Sequence, residues 1–257
     1  MPGRAPPGEA VPPMPVCRRL AAQWECRVKR LLHQLARPAI APSILAADFA
    51  HLADEITRVK KGGADLLHVD CMDGHFVPNL TIGPVVVEKV RAVTDLFLDV
   101  HLMLSEPGRY IQAFAEAGAD NITFHAEVVA EPEALTDRIH ELGCSAGITI
   151  NPDGPLDRVK RAAPHVEMVL LMTIYAGFGG QTFLPEVLPA IRQVRGWLTD
   201  EQRLEVDGGI HADTIGDAAA AGADVFVAGT AVFGTADGDY GRSIAELRQA
   251  ATTAPAS

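Results

Sequence analysis

The strongest constraint on the fold is an alternation. Between residues 40 and 251, eight short apolar runs (40–45, 65–69, 96–100, 121–124, 145–150, 166–172, 203–206 and 224–228) alternate with longer amphipathic stretches, among them 49–61, 107–117, 132–142, 185–197 and 212–221. Runs of four to seven residues suit buried strands better than helices. Strands alternating with helices read as βαβ units and a parallel sheet. A quasi-repeat marks the joints. Gly63-Ala64-Asp65, Gly118-Ala119-Asp120 and Gly222-Ala223-Asp224 each close a helical stretch and open a strand, and Gly143-Cys144 does the same after Leu142. Glycine suits the left-handed residue just past a helix end. Eight strands and eight helices in about 212 residues is the count of a (β/α)8 TIM barrel, an α/β fold. An open doubly wound sheet is the weaker alternative, because it would hold eight strands in one sheet and the dinucleotide-binding glycine fingerprint is absent.

The barrel is therefore assigned to residues 40–251, as one domain, with a flexible tail at 252–257. Residues 1–39 stand apart. They hold seven Lys/Arg against two Asp/Glu, whereas the rest of the chain holds 15 against 31. The Pro-, Gly- and Ala-rich stretch 1–15 is expected to be disordered. Residues 18–35 can form a basic helix, with Leu20, Trp24, Val28, Leu31 and Leu35 at helical spacing. The acidic body is a poor nucleic-acid binder, so any phosphate site must be built locally. No apolar run is long enough to span a membrane. Four cysteines, at 17, 26, 71 and 144, lack CxxC pairing and fit a reducing, cytoplasmic setting.

In such a barrel, alternate strand residues point inward and the C-terminal strand ends carry the active site. His68, Asp70 and Met72 share one face of the second strand, and Asp99, His101 and Met103 share one face of the third. The seventh ends in Asp207, the sixth at Met172, and Ser43 closes the first. Two histidines and two aspartates thus converge at one mouth, a donor set that suits Zn²⁺, Mn²⁺ or Fe²⁺ with positions left for substrate. Met72, Met103 and Met172 fall in the same zone and could form a water-free wall around a charged intermediate. The sixth, seventh and eighth strands lead into Gly177-Phe178-Gly179-Gly180, Gly208-Gly209 and Gly229-Thr230. Loops after strands 7 and 8 are the usual phosphate grip of this fold. No Lys or Arg occurs in 172–183, 207–210 or 225–234, so a phosphate there would be held by backbone N–H groups.

No nucleophile elbow, P-loop lysine or strand-end lysine is present, which leaves two carboxylates, a metal and a phosphate grip. Two carboxylates on opposed strands can remove a proton from one face of a carbon and return one to the other. A C–H beside a ketone is acidic enough only if the enediolate is stabilised, which a Lewis-acid cation does. The pattern points to epimerisation of a phosphorylated ketose.

Ala41-Pro42-Ser43-Ile44-Leu45-Ala46-Ala47-Asp48-Phe49 and His68-Val69-Asp70-Cys71-Met72-Asp73-Gly74-His75-Phe76-Val77-Pro78-Asn79 resemble the ribulose-phosphate 3-epimerase family. So do Leu98-Asp99-Val100-His101-Leu102-Met103, Gly177-Phe178-Gly179-Gly180-Gln181 and Val206-Asp207-Gly208-Gly209-Ile210, in the family's order. The resemblance implies 3-epimerisation of D-ribulose 5-phosphate to D-xylulose 5-phosphate through an enediolate. It implies one divalent metal per subunit (zinc, iron, manganese or cobalt) on His68, Asp70, His101 and Asp207. Asp70 would accept the proton and Asp207 donate one. Ser43 and His101 would touch the sugar. Gly177, Phe178, Gly179, Gly180, Gly208, Gly209, Gly229 and Thr230 would hold the phosphate. A homo-oligomer is the expected assembly, with a sugar phosphate as the small-molecule partner. Tyr175-Ala176 and Asp153-Gly154 depart from the family's common Asn-Pro and Gly-Thr. The close alternative is a 3-epimerase for another ketose phosphate, such as allulose 6-phosphate. A barrel lyase or decarboxylase would carry Asp-x-Lys-x-x-Asp, and the matching stretch Asp70-Cys71-Met72-Asp73 has no lysine.

Overall fold

The structure, a computed structural model, describes residues 32–236 and 238–253. The expected disordered stretch 1–15, most of the proposed basic helix and the end of the tail lie outside the described residues. Among the described residues eight parallel strands form one sheet: β1 (Ala39–Pro42), β2 (Leu66–Met72), β3 (Phe97–Met103), β4 (Asn121–His125), β5 (Ser145–Ile150), β6 (Met168–Met172), β7 (Arg203–Asp207) and β8 (Val225–Ala228). The order is β1-β8-β7-β6-β5-β4-β3-β2. The barrel is completed between β1 and β2 by a bridge from Ser43 to His68 and by Asp65 N–H donating to the Ile40 carbonyl at 3.1 Å. The TIM-barrel expectation holds, and each expected apolar run contains or overlaps its strand.

The Gly-Ala-Asp repeat has a physical reading in both halves. Gly63, Gly118 and Gly222 all take positive φ, at 93°, 109° and 111°, which ends the helix and turns the chain into the next strand. The aspartate then reaches sideways. Asp65, Asp120 and Asp224 accept from the backbone N–H of Ile40, Leu98 and Leu204, each in the preceding strand of the sheet or of the barrel seam. Glu167 does the same for Ala146. The repeat thus pins neighbouring strands in register at the N-terminal end of the barrel.

The outward strand faces (Leu67, Val69, Leu98, Val100, Ile122, Phe124, Ile148, Val169, Val206 and Phe226 among them) pack with the helices into one apolar layer. The inward face is different. Its floor is a second apolar cluster of Leu32, Ala39, Ala41, Leu66, Phe97, Met168, Val225 and Val227. Above it the interior is polar, with His68, Asp99, Asn121, Thr123 and Glu205 all fully buried.

Packing begins earlier than residue 40. Leu32 is buried in the floor, and the fully buried Arg203 donates to the carbonyls of Leu32, Leu35 and Ala36 at 3.3, 3.0 and 2.7 Å. Arg203 also bonds the Asp224 carboxylate at 3.2 Å. The short turn at 32–36 is the plug of the barrel floor, and the charge that holds it comes from the first residue of β7.

Candidate active site at the barrel mouth

Register brings the sequence candidates together. His68 pairs with Asp99, Asp70 with His101 and Met72 with Met103 across β2 and β3, while Met172 pairs with Asp207 across β6 and β7. One ligand atom each from His68, Asp70, His101 and Asp207 lies within 4.8 Å of the others. His68 Nε2 and His101 Nδ1 both stand 3.3 Å from Asp70 Oδ1. Both nitrogens are buried without a hydrogen-bond partner among the described residues. Two orphaned imidazole nitrogens converging on one carboxylate oxygen, with a second carboxylate alongside, form a donor set that could hold a divalent cation.

Three of the four donors are held from behind. His68 Nδ1 lies 2.6 Å from Asp99 Oδ2, so that nitrogen keeps its proton and Nε2 is the atom turned to the site. Asn121 donates to the other Asp99 oxygen at 2.7 Å. Ser43 Oγ donates to Asp70 Oδ2 at 2.6 Å. His101 Nε2 lies 2.9 Å from His125 Nε2. The first turn after β2 is fixed by Asp73, which accepts from the backbone of His75 and Phe76 and from both the N–H and hydroxyl of Ser105.

The carboxyl groups are driven apart. Burial pushes Asp70 up, but His68 and His101 outweigh it and hold it well below the usual carboxylate range. Burial and the Asp70 charge push Asp207 up to about 7. Burial and Asp99 push Glu205 up to about 8. Burial lowers His101 to about 4, so it is neutral. For His68, burial is outweighed by Asp70 and Asp99, which hold it well above its ordinary value in the metal-free chain. A cation among the four would favour the bare imidazole and draw Asp207 toward ionisation.

Met72 and Met103 pack with Val77, and Met172 packs with Leu170 and Ile174; Ala176 touches both groups. All three methionines are buried. Gly177, Gly180, Gly208 and Gly209 all take positive φ. A Cβ on Gly209 would come within 2.4 Å of the Phe183 backbone, so the fold itself needs glycine there. Gly179 faces open space and has ordinary φ. Gly229 sits 3.4 Å from Ala46 and 3.9 Å from Ser43 as measured from an added Cβ. Phe178 is exposed, and so is Thr230 at the start of the short helix Thr230–Phe233.

Three residues escaped the sequence reading: His125, Glu127 and Asn151. Glu127 and Asn151 line a cavity of about 380 Å³ together with Phe76, Val77, Pro78, Asp153, Gly154, Tyr175 and Ala176. Its walls include both places where the chain departs from the family pattern. A second groove of about 390 Å³, lined by His211, Arg242 and Glu246 among others, contains none of the four convergent residues.

The chain is similar to known proteins over most of its length. The chain is 49% identical over 213 residues to ribulose-phosphate 3-epimerase of Bacillus subtilis, covering 81% of this chain and 97% of that one. It is 52% identical over 221 residues to the enzyme of that name from Mycobacterium tuberculosis, covering 84% and 94%. Solved structures share the fold at low identity. KGPDC of Streptococcus mutans aligns with a TM-score of 0.67 at 14% identity, covering 82% of this chain and 97% of that one. The tryptophan synthase alpha subunit of Legionella pneumophila aligns at 0.57 and 18%, covering 84% and 93%. No described helix is long and apolar enough to cross a membrane. With the Ribulose-phosphate 3 epimerase family profile matching residues 39–233, the chain belongs to that family.

Proposed function

We propose that this chain interconverts D-ribulose 5-phosphate and D-xylulose 5-phosphate, with Asp70 and Asp207 as the two proton-transfer groups. The observation that carries the reading is the convergence of His68, Asp70, His101 and Asp207 within 4.8 Å at the barrel mouth. Inversion at C3 needs a base on one face of the carbon and an acid on the other. Two carboxyl groups whose environments push their affinities for protons in opposite directions meet that need. Asp70, held ionised, takes the C3 proton. Its Oδ1 faces the two imidazoles, so Oδ2, the oxygen that accepts from Ser43, is where that proton arrives. Asp207, whose buried surroundings and Asp70 neighbour raise its affinity for a proton, returns a proton on the opposite face. The roles exchange in reverse.

His68 Nε2, His101 Nδ1, Asp70 and Asp207 would hold the divalent cation, and zinc, iron, manganese and cobalt all accept such nitrogen and oxygen donors. The bound cation supplies positive charge that stabilises an enediolate. Met72, Met103 and Met172 exclude water, which strengthens those charge interactions. Ser43 and His101 orient the sugar. Gly177, Phe178, Gly179, Gly180, Gly208, Gly209, Gly229 and Thr230 surround the phosphate, and Gly179, facing open space, is where its oxygens can approach the backbone most closely.

The test is turnover of ribulose 5-phosphate by purified protein, with metal content measured in the same sample. Activity that disappears on chelation and returns with a divalent metal supports the reading. A chelator-treated, metal-free sample that turns over at the full rate would overturn the cation's role. Absence of turnover by the metal-loaded protein would overturn the substrate.

A further inference from the structure

We infer that Glu127, acting through His125, sets the tautomer in which His101 presents Nδ1 to the metal site; both are positioning residues. This rests on the metal reading above and adds residues on β4 and beyond it. A chain of contacts runs from the loop after β5 to the proposed ligand. Asn151 donates to Glu127 Oε1 twice, from its backbone N–H at 2.8 Å and from Nδ2 at 2.9 Å. Arg158 ties the same turn by donating to the carbonyls of Ala126 and Glu127. The second carboxylate oxygen, Oε2, faces His125 Nδ1 at 3.3 Å. His125 Nε2 faces His101 Nε2 at 2.9 Å, with ring centroids 5.0 Å apart and the ring planes 22° from parallel. His101 Nδ1 then points at Asp70 without a hydrogen-bond partner. Both histidines are fully buried, so water does not compete for these positions.

The proton positions follow from the Glu127 end of the chain, against Asp70, whose Oδ1 at 3.3 Å from His101 Nδ1 pulls the other way unless a cation takes that nitrogen. An ionised carboxylate only accepts hydrogen bonds, so His125 Nδ1 carries the hydrogen. A neutral His125 then has a bare Nε2, which accepts. His101 Nε2 must be the donor, and a neutral His101 is left with its lone pair on Nδ1, the atom aimed at the site. Reverse the donor sense at Glu127 and every member of the chain flips, which places a hydrogen on His101 Nδ1 and blocks it as a ligand. His68 is held in the complementary way, by Asp99 on its Nδ1, so the two ligands use opposite ring nitrogens.

Glu127→Gln is the near-isosteric reversal. Asn151 presents two donors, which hold the oxygen of the new side-chain amide on their side and turn its NH₂ toward His125. The expected result is ten- to hundredfold weaker binding of Co²⁺, read by competition with a chromophoric chelator, which is the usual range when a group behind a metal-bound histidine is lost. Nitrogen-15 spectra of the imidazoles in the metal-free protein should report a larger share of Nε2-H on His101 in the wild type, where Glu127 opposes Asp70, than in the variant, where both ends favour Nδ1-H, a change that a merely structural role would not produce. A second pair guards against misfolding. His125→Gln keeps an acceptor for His101 and should hold Co²⁺ affinity within a few-fold, whereas His125→Leu should lose it as Glu127→Gln does. Wild-type Co²⁺ affinity in both Glu127→Gln and His125→Leu, or an unchanged His101 tautomer, would overturn the inference while leaving the metal reading intact. Failure of the wild type itself to bind Co²⁺ would overturn both.

Discussion

Removing residues 1–37 should strip the floor from the barrel, whereas removing residues 1–31 should not. The longer deletion takes away Leu32 and the carbonyls of Leu32, Leu35 and Ala36, three of the acceptors around the buried guanidinium of Arg203. Burying a leucine side chain contributes ~2 kcal/mol. Each hydrogen bond to the guanidinium lost contributes ~1 kcal/mol, taking the low end because the opened floor admits water. The total is about 5 kcal/mol, which for a chain of this size lowers the melting temperature by roughly 10–20 °C. The two truncated proteins would be compared by circular-dichroism melting. Arg203→Met should cost less in the shorter protein than in the longer one, because the buried charge has already lost partners. Turnover well below both midpoints should match, since the plug lies at the barrel end opposite Asp70 and Asp207. Melting temperatures within ~3 °C of each other would refute the argument, because ~5 kcal/mol cannot vanish into so small a shift.

Other consequences can be checked as directly. Gly179→Ala should raise KM for the sugar phosphate with the melting temperature unchanged, because its Cβ enters only open space; Gly209→Val should lower the melting temperature, because its Cβ meets the Phe183 backbone. Equal thermal losses in both would show that the glycines serve the fold alone. Glu205, raised to about 8 in the folded metal-free protein, keeps a proton that the unfolded chain releases near its ordinary value of 4.5. Its contribution to stability is present at acid pH and lost as pH rises from about 4.5 toward 8, by roughly 1.4 kcal/mol per unit. Glu205→Gln should therefore melt higher than wild type at pH 8 and equally at pH 4, and a pH-independent difference would contradict this. His68→Ala and His101→Ala should each lose bound metal together with activity, read by elemental analysis.

The fold was legible because two independent signals agreed. The apolar runs gave the strands, and the Gly-Ala-Asp joints gave their phase. What the aspartates do was not legible, since a carboxylate reaching a neighbouring strand's N–H leaves no local pattern. The proline-led helix Pro84–Val93 was not singled out, because Pro84-Val85-Val86-Val87 is β-branched and reads locally as strand. His68, Asp70, His101 and Asp207 stood out because period two places polar pairs on one strand face. The same period puts Asn121, Thr123 and His125 on one face of β4, so the signal for His125 was present. A single histidine in an apolar run carried too little weight without the knowledge that Glu127 and Asn151 stand behind it. Arg203 was hidden for a related reason: a charge at the start of a strand looks like the end of a loop, and only closure of the barrel buries it.

The central claim is that two carboxylates work on opposite faces of one carbon, and hydrogen exchange at C3 in D₂O tests it most directly. With metal bound, Asp207→Asn should introduce deuterium into ribulose 5-phosphate without forming xylulose 5-phosphate, since Asp70 can still remove and return hydrogen on its own face. Asp70→Asn should do the converse, exchanging xylulose 5-phosphate alone. Both should epimerise at least ~10²-fold more slowly than wild type. Epimerisation at the wild-type rate by either metal-loaded variant, or exchange of the opposite substrate, would contradict the assignment.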